Sequence, residues 1–589
     1  MCDDIPMRFA WSASILAATL VPLACAPAAA PAIAAHSLIL PLQGPCPVDG
    51  SSAGGEFSSE VQQFSLAVTG PGIDAPIEVS GGTNELKINV PQGDNRTVAL
   101  FGLVNGQPAW RGITRGVKVT AGEDSPVDVL LARVADLSCA RTTTGDKRMF
   151  HSATRLNDGT VLVVGGANDD VDASATCGAG CRKLTATTSA AIYDPRTGVF
   201  QAVGQLGTAR MFHTATVLGD GRVLVAGGTE EAFLRPVDPA AHPFPIEPTR
   251  PTADLEIYDP SARTFTSLGA DPNGPRVFAA AVALSTGSVL LTGGVPGAGS
   301  PRNDLGNALN TSTQCGGSPV ICQRGPPLAR RRAGHLAFAV EPEGILLWGG
   351  SVQPDDHQSI PGTACSAQDS CDTGQICLAS GTCAFAGFQV ELLQTGGAAF
   401  QLHAVDRMNE ARNLFFAASA QYVDYRMLAA GGLTRASDGS FAMASIDIDG
   451  LERGPGYVLD MTASRSGGIA TQDPATAPLL HIEHPRAFGA AAGLPDEARA
   501  IVAGGFLDLA FTPAADLDLF RQSPQLQTTP IQVGGQPRTL RQPRGGVTAT
   551  AIGDGTVLLV GGTDENGPSE TAEIFADPIN PPDIAGVSP

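Results

Sequence analysis

Lysine is almost missing from this chain of 589 residues: only Lys87, Lys118, Lys147 and Lys183 are present, and no basic run is longer than "RRR", Arg330 to Arg332. With 37 Lys and Arg against 58 Asp and Glu, the formal net charge is −21, which repels a phosphate backbone, so nucleic acid is not an expected partner. Tyrosine is scarce, at five residues, and charged residues make up only 16% of the chain. Beyond the N-terminus no stretch approaches 18 consecutive apolar residues, so no transmembrane helix is expected there. Neither an H-E-x-x-H zinc motif nor a P-loop signature occurs, and no cofactor, metal ligand or catalytic residue is assigned.

Glycine and proline are plentiful, at 70 and 45 residues, and imply many turns and short strands rather than long helices. The fold class expected is all-β. The N-terminal "MRFAWSASILAATLVPLACAPAAAPAIAAHS" places one Arg before an apolar run and then small residues, the layout of a secretory signal, read over residues 1–35. Export follows from it. Within this segment "PLAC" resembles a bacterial lipobox ending at Cys25, with Pro22 where leucine usually stands; lipidation there would be the chain's tie to a membrane. The competing cleavage follows an A-x-A triplet such as Ala32, Ile33 and Ala34.

Twelve cysteines suit an oxidising compartment, and ten remain after Cys2 and Cys25. Cys365, Cys371, Cys377 and Cys383 form a Cys-rich insert, 365–383, whose five-residue spacings favour two disulfides over a zinc site. Three connectivities are open there. The segment is similar to small Cys-rich inserts in which the first pairs with the third and the second with the fourth. Cys177 with Cys181, and Cys315 with Cys322, can close short loops. Cys46 and Cys139 are left for each other.

The stretch "RMFHSATRLNDGTVLVVGG", Arg148 to Gly166, returns as "RMFHTATVLGDGRVLVAGG", Arg210 to Gly228. Doublets that close an apolar run begin at Gly165, Gly227, Gly293, Gly349, Gly431, Gly504 and Gly561. Seventeen residues earlier stand Arg148, Arg210, Arg276, Arg332 and Arg544; nineteen and eighteen earlier stand Arg412 and Arg486. Between arginine and doublet, two apolar runs flank an Asn-Asp-Gly type turn, the signature of a β-hairpin. The first run is rich in Ala, Ser and Thr, as suits a strand crowded near an axis. After a variable loop come "SAAIYDPRTGVF" and "DLEIYDPSARTF", a strand, a Tyr-Asp-Pro turn and a further strand.

Four antiparallel strands per unit cannot bury both faces alone but bury each other when set radially as propeller blades. The doublet, the arginine with its following His (His151, His213, His335) and the "YDP" turn make the chain resemble the kelch family. The resemblance implies a seven-bladed kelch-type β-propeller over residues 134–577, with Phe200 and Phe265 where kelch repeats usually carry tryptophan. The last unit stops one strand short, so "VADLSCA", Val134 to Ala140, is expected to pair with it and close the ring. Residues 37–133 carry alternating runs that resemble an Ig-like β-sandwich, and 578–589 are a Pro-rich tail.

In such a blade the arginines and the long insertions, 167–188, 229–252, 295–318 and 351–387, fall on one face, where a rigid scaffold usually carries function. The expected ligand-binding residues are therefore Arg148, Arg210, Arg276, Arg332, Arg412, Arg486 and Arg544, as planar donors for carboxylates. In kelch domains that bind acidic peptides, arginines at matching positions make such contacts. The competing reading has each arginine bonding its own and neighbouring blades. The three histidines are expected to pack rather than to bind metal, and the acidic segment Ala167 to Ser174 to be a solvated loop rather than a calcium site.

The function expected is that of an exported, non-enzymatic scaffold binding a protein or glycan partner on the loop-rich propeller face. The alternatives are a carbohydrate-active propeller or a copper radical oxidase resembling galactose oxidase. The latter needs two tyrosines, two histidines and a thioether-forming cysteine, whereas Tyr193 and Tyr258 already serve the "YDP" turns.

Overall fold

The computed structural model describes residues 31–39, residue 46 and most of 60–577; the widest gaps are 353–358, 365–374, 407–412, 461–468 and 472–479. The signal segment before residue 31 with Cys25, Cys365, Cys371, Arg412, the side chains of Cys377 and Cys383, and the tail 578–589 lie outside the described residues. The protein is all-β, 56% strand and 1% helix. Its one helical turn among the described residues is Ser174–Cys177.

Seven strands between Ala32 and Arg133 follow one hydrogen-bonded path that curls until its edges, Ile77–Gly81 and Glu85–Asn89, meet. Gln63–Thr69 shows why: Phe64, Leu66 and Val68 are buried while Gln63 is exposed and Ser65 and Thr69 are half-buried, a period-2 pattern interrupted at the buried Ala67. The path has a four-stranded and a three-stranded side, joined at a corner where Trp110 pairs with Arg133 and Arg111 with Ala132. Both sides bury side chains against Trp110, whose Nε1 donates to Glu60 Oε1 at 3.0 Å. The module thus forms a nearly closed, barrel-like sheet. It begins before residue 37, with the strand Ala32–Ile39, inside the segment read as signal, and Ile33 there is fully buried.

The remainder is β-propeller-like, built of small antiparallel sheets. In the first, Ser152–Arg155, Val161–Val164, Ala190–Asp194 and Val199–Ala202 pair in succession. The same order recurs between Thr214 and Ala270, Ala280 and Arg324, Leu336 and His403, and Ala490 and Pro530. A larger sheet holds Ala418–Val423, Arg426–Ala430, Leu451–Asp460 and Ile469–Thr471. The Asn-Asp-Gly turn works as its residues require: Leu156 N–H donates to Thr160 O at 2.8 Å, and Gly159 takes a φ of 86° that costs glycine little. Ser152–Arg155, Thr214–Val217, Ala280–Ala283 and Leu336–Val340 pack on one another in chain order, as do Ala418–Val423, Ala490–Leu494 and Thr548–Gly553, and Thr548–Gly553 closes on Ser152–Arg155. Their small residues are needed there, since a Cβ on Gly493 would lie 1.9 Å from Gln421 O.

Ring closure uses the expected segment. Leu137–Cys139 pairs antiparallel with Ala572–Ala576, the fourth strand beside Thr548–Gly553 and Thr556–Val560. Among the described residues, three disulfides join Cys46 to Cys139, Cys177 to Cys181, and Cys315 to Cys322. The last corrects the sequence reading of an insertion over 295–318. Cys315 lies on the strand Ser312–Gly316 directly opposite Cys322 on Ile321–Arg324, so this bond staples a hairpin rather than a loop. No helix among the described residues is long and apolar enough to cross a membrane.

Candidate functional site

The six described arginines turn inward. Arg148, Arg210, Arg276, Arg332, Arg486 and Arg544 are between 0% and 2% exposed, so none offers its guanidinium to a ligand at the surface. Arg148, Arg210, Arg276 and Arg544 donate through Nη1 to the carbonyl of the first doublet glycine, at 2.9 Å to Gly165, 3.0 Å to Gly227, 2.8 Å to Gly293 and 2.6 Å to Gly561; Arg332 bonds Gly349 likewise. The seventeen-residue spacing is the reach of this bond.

Each cation also needs an anion, because an unpaired buried charge is costly. Arg210 meets Glu256 at 2.5 Å, Arg332 meets Glu391 at 2.7 Å, Arg486 meets Asp518 at 2.6 Å and Arg544 meets Glu573 at 2.7 Å. These acids share one register position, opposite the residue two before the doublet on the neighbouring strand: Val225, Leu347, Val502 and Leu559. Reading the chain for arginines alone misses them, although "DLEIYD", "VELLQ", "LDLF" and "AEIFA" display them. In the third unit Thr313 holds that position, and Asp271 from the preceding loop pairs with Arg276 at 2.8 Å. The first unit has Ala191 there. Arg148 instead donates to Ser189 Oγ at 2.9 Å, which donates on to Asp146, and burial pulls its pKa down to about 10.

The second doublet glycine joins one sheet to the next. Gly166, Gly228, Gly294, Gly432, Gly505 and Gly562 donate N–H to the carbonyls of Arg210, Arg276, Arg332, Arg486, Arg544 and Arg148. Gly350 donates to Leu414, which stands seventeen residues before Gly431 and so occupies the arginine's repeat position in the fifth unit. Arg412 is two residues out of that register.

Two residues after each of these positions lies a backbone in the left-handed region: Phe150, Phe212, Phe278, Gly334, Phe416, Phe488 and Gly546, with φ between 55° and 64°. Their peptide groups form a closed ring of hydrogen bonds. Phe212 N–H donates to Phe150 O, Phe278 to Phe212, Gly334 to Phe278, Phe416 to Gly334, Phe488 to Phe416, Gly546 to Phe488, and Phe150 to Gly546. A left-handed phenylalanine costs ~1–3 kcal/mol, which the ring bonds and packing must offset. Five phenyl rings gather inside, with centroids 4.3 Å apart for Phe150 and Phe212, 4.9 Å for Phe212 and Phe278, 5.1 Å for Phe278 and Phe416, and 4.5 Å for Phe416 and Phe488. Phe488 returns to Phe150 at 5.8 Å. The two glycines are where a side chain has no room: a Cβ on Gly334 would lie 2.7 Å from the Phe416 ring.

The insertions cover this plug. Phe244, from 229–252, stacks on Phe416 at 5.3 Å, and one apolar core unites loop residues such as Leu184, Leu234, Leu305, Val352, Phe441 and Phe511 with the phenyl ring residues. The middle of the hydrogen-bonded ring is therefore filled with phenyl rings. The first two insertions also merge into one additional sheet, Ala167–Asp172, Arg182–Ala186, Glu231–Leu234 and Ile246–Pro248. Ala167 to Ser174 is thus mainly strand rather than loop, with Asp170 paired to Arg182 and Asp172 bonded to Ser174. On the outer side of this cap sheet Val171, Lys183, Phe233 and Glu247 align in register, with Val171 45% exposed and Arg235 lying 5.5 Å over the Phe233 ring.

The histidines hold sheets together and do not converge. Nε2 of His151 meets Thr548 Oγ1 at 2.9 Å, that of His213 meets Ser152 Oγ at 2.9 Å, and that of His335 meets Thr292 Oγ1 at 2.8 Å, each on the preceding sheet. Burial, helped by the neighbouring arginines, lowers the pKa of His213 and His335 to about 3 and that of His151 well below 6.5. Among the described residues one group could hold a metal ion, Glu483, His484 and Asp516, and it offers neither tyrosine nor cysteine. Tyr193 and Tyr258 are buried against Phe200 and Phe265, at 4.9 Å in both cases. No known family matches the chain, and no curated protein matches it.

Proposed function

We propose that this chain is an exported, seven-bladed kelch-type propeller scaffold, preceded by an Ig-like module, that binds a protein or glycan partner on its loop-rich face without catalysis. The observation that carries this reading is the cap sheet. Two insertions from successive units pair with each other, bury an apolar underside on the phenyl plug, and turn outward the row Val171, Lys183, Phe233 and Glu247, with Val171 exposed and the other three half-buried. Loops that cost this much ordering entropy and reach outward suit recognition on a rigid support. Export is supported by the disulfides. Lipidation at Cys25 fits the strand that begins at Ala32, because cleavage after Ala34 would remove the buried Ile33 from its sheet.

The test is capture from the native envelope by the full chain and by a Val171→Asp/Phe233→Asp variant. Capture that drops at least tenfold in the variant, with an unchanged melting temperature, supports the reading. Equal capture by both proteins removes the cap sheet as the binding surface.

A further inference from the structure

We propose that the cleft between the N-terminal module and the turn side of the first and last sheets binds a small oxyanion that presents a carboxylate or a sulfate group. The cleft has a volume of about 470 Å³ and lies on the side of the propeller-like body that carries the hairpin turns, away from the cap sheet. Four arginines, Arg111, Arg115, Arg155 and Arg196, and two aspartates, Asp158 and Asp554, line it. That is a local excess of positive charge in a chain of net charge −21.

Most of these groups have internal work. Arg115 Nε donates to Asp554 Oδ1 at 3.1 Å, and Arg196 is held by Asp194 through bonds of 2.9 and 2.8 Å. Asp158 accepts from Thr160 N–H at 3.0 Å and from its hydroxyl at 2.6 Å. Arg111, only 4% exposed, donates to the carbonyl of Asp554 at 2.7 Å. Arg155 differs from them all. It is exposed and makes no hydrogen bond or ion pair among the described residues, and a Cβ on Gly553 would already lie 3.3 Å from its Nη2. A guanidinium with its donors unused thus lines the propeller side of a cleft whose module side carries Arg111 and Arg115, both already bonded to Asp554.

The walls are fixed before any ligand arrives. The Cys46–Cys139 disulfide, the Val134 N–H bond to Ala109 O at 2.9 Å and the Arg111 bond to Asp554 tie module to propeller. A preformed site loses little entropy on binding. Fixed planar donors suit oxyanions, and no aromatic side chain lines the cleft to stack on a neutral sugar or a base. At the ~30 Å³ that a water molecule occupies in the liquid, the cleft holds about 15 non-hydrogen atoms, the size of citrate or of one sulfated sugar.

Isothermal titration of the full chain with citrate, with inorganic sulfate and with glycerol, at low ionic strength, tests this. One saturable site for citrate or sulfate, none for glycerol, and at least a tenfold weaker affinity in Arg155→Ala is the expected result. Tighter citrate than sulfate identifies a carboxylate site, and the reverse order a sulfate site. No saturable binding of either anion to the unaltered chain, or binding unchanged by Arg155→Ala, overturns the proposal. Neither outcome bears on the cap sheet, which lies elsewhere.

Discussion

The N–H of Gly562 donates to the carbonyl of Arg148 at 2.9 Å, joining the last sheet to the first. The bond repeats a link made between every other pair of neighbouring sheets, so the arginine position is a joint in a closed ring. Its guanidinium, bonded to Gly165 of the same sheet, fixes the doublet that makes the link.

Substituting these arginines therefore costs fold before it costs binding. Arg544→Met leaves Glu573 buried without its partner and should destabilise by about 3–5 kcal/mol, seen as a large fall in the urea midpoint. Adding Glu573→Leu should recover much of the loss, since a well-packed apolar pair removes the stranded charge. The triple replacement of Arg148, Arg210 and Arg276 should unfold the chain rather than yield a folded protein blind to its ligand. A folded triple variant would show that the network is dispensable.

The phenyl ring gives a sharper steric test. Gly334→Ala puts a methyl 2.7 Å from the Phe416 ring at a φ of 61°, and Gly546→Ala one 2.8 Å from Phe150 at 64°. Each should lower stability by about 1–3 kcal/mol in thermal unfolding. Gly450→Ala, also at positive φ but with nothing within 4 Å, should lose less. Equal losses at all three positions would remove packing against the phenyl rings as the cause.

Acid should weaken the protein below about pH 6.5. His213 and His335 have folded pKa values of about 3 against an ordinary 6.5, so between these limits the unfolded chain binds protons that the native one refuses. Stability is complete above pH 6.5 and falls as the pH drops toward 3, by on the order of 1.4 kcal/mol per pH unit for each histidine. His335→Gln, which can keep a bond to Thr292, should flatten the slope of unfolding free energy against pH. An unchanged slope would contradict the buried neutral histidine.

Reduction should loosen the two-module arrangement. Cys46 and Cys139 are separated by 93 residues, and Cys46→Ser should cost up to about 4–5 kcal/mol on the loop-closure estimate. Proteolysis near residue 46 should accelerate in the variant.

Much of the fold could be read from residues whose backbone demands are strict. The doublets, the Asn-Asp-Gly turns and the closing strand at Leu137 all reappear as hydrogen-bonded features. The strand Ser312–Gly316 was hidden because no Tyr-Asp-Pro turn follows it. Leu414 carries no guanidinium to mark its repeat position, whereas Arg412 stands two residues away outside the register, so residue type does not reveal the fifth joint. The phenylalanine ring could not be foreseen, since a left-handed φ contradicts the local preference of a bulky side chain and exists only through contacts between sheets. The cap sheet escaped for a related reason: strands from two insertions pair across units, and "ANDDVDAS" looks like a loop until Arg182 and Lys183 lie beside it.

Recognition by the cap sheet, as proposed, can be tested by hydrogen exchange read by mass spectrometry. With the captured partner bound to the full chain, amides of 167–186 and 231–248 should gain protection while the turns at 157–159 and 220–222 do not change. Protection confined to those turns, with the cap sheet unaltered, would contradict the account.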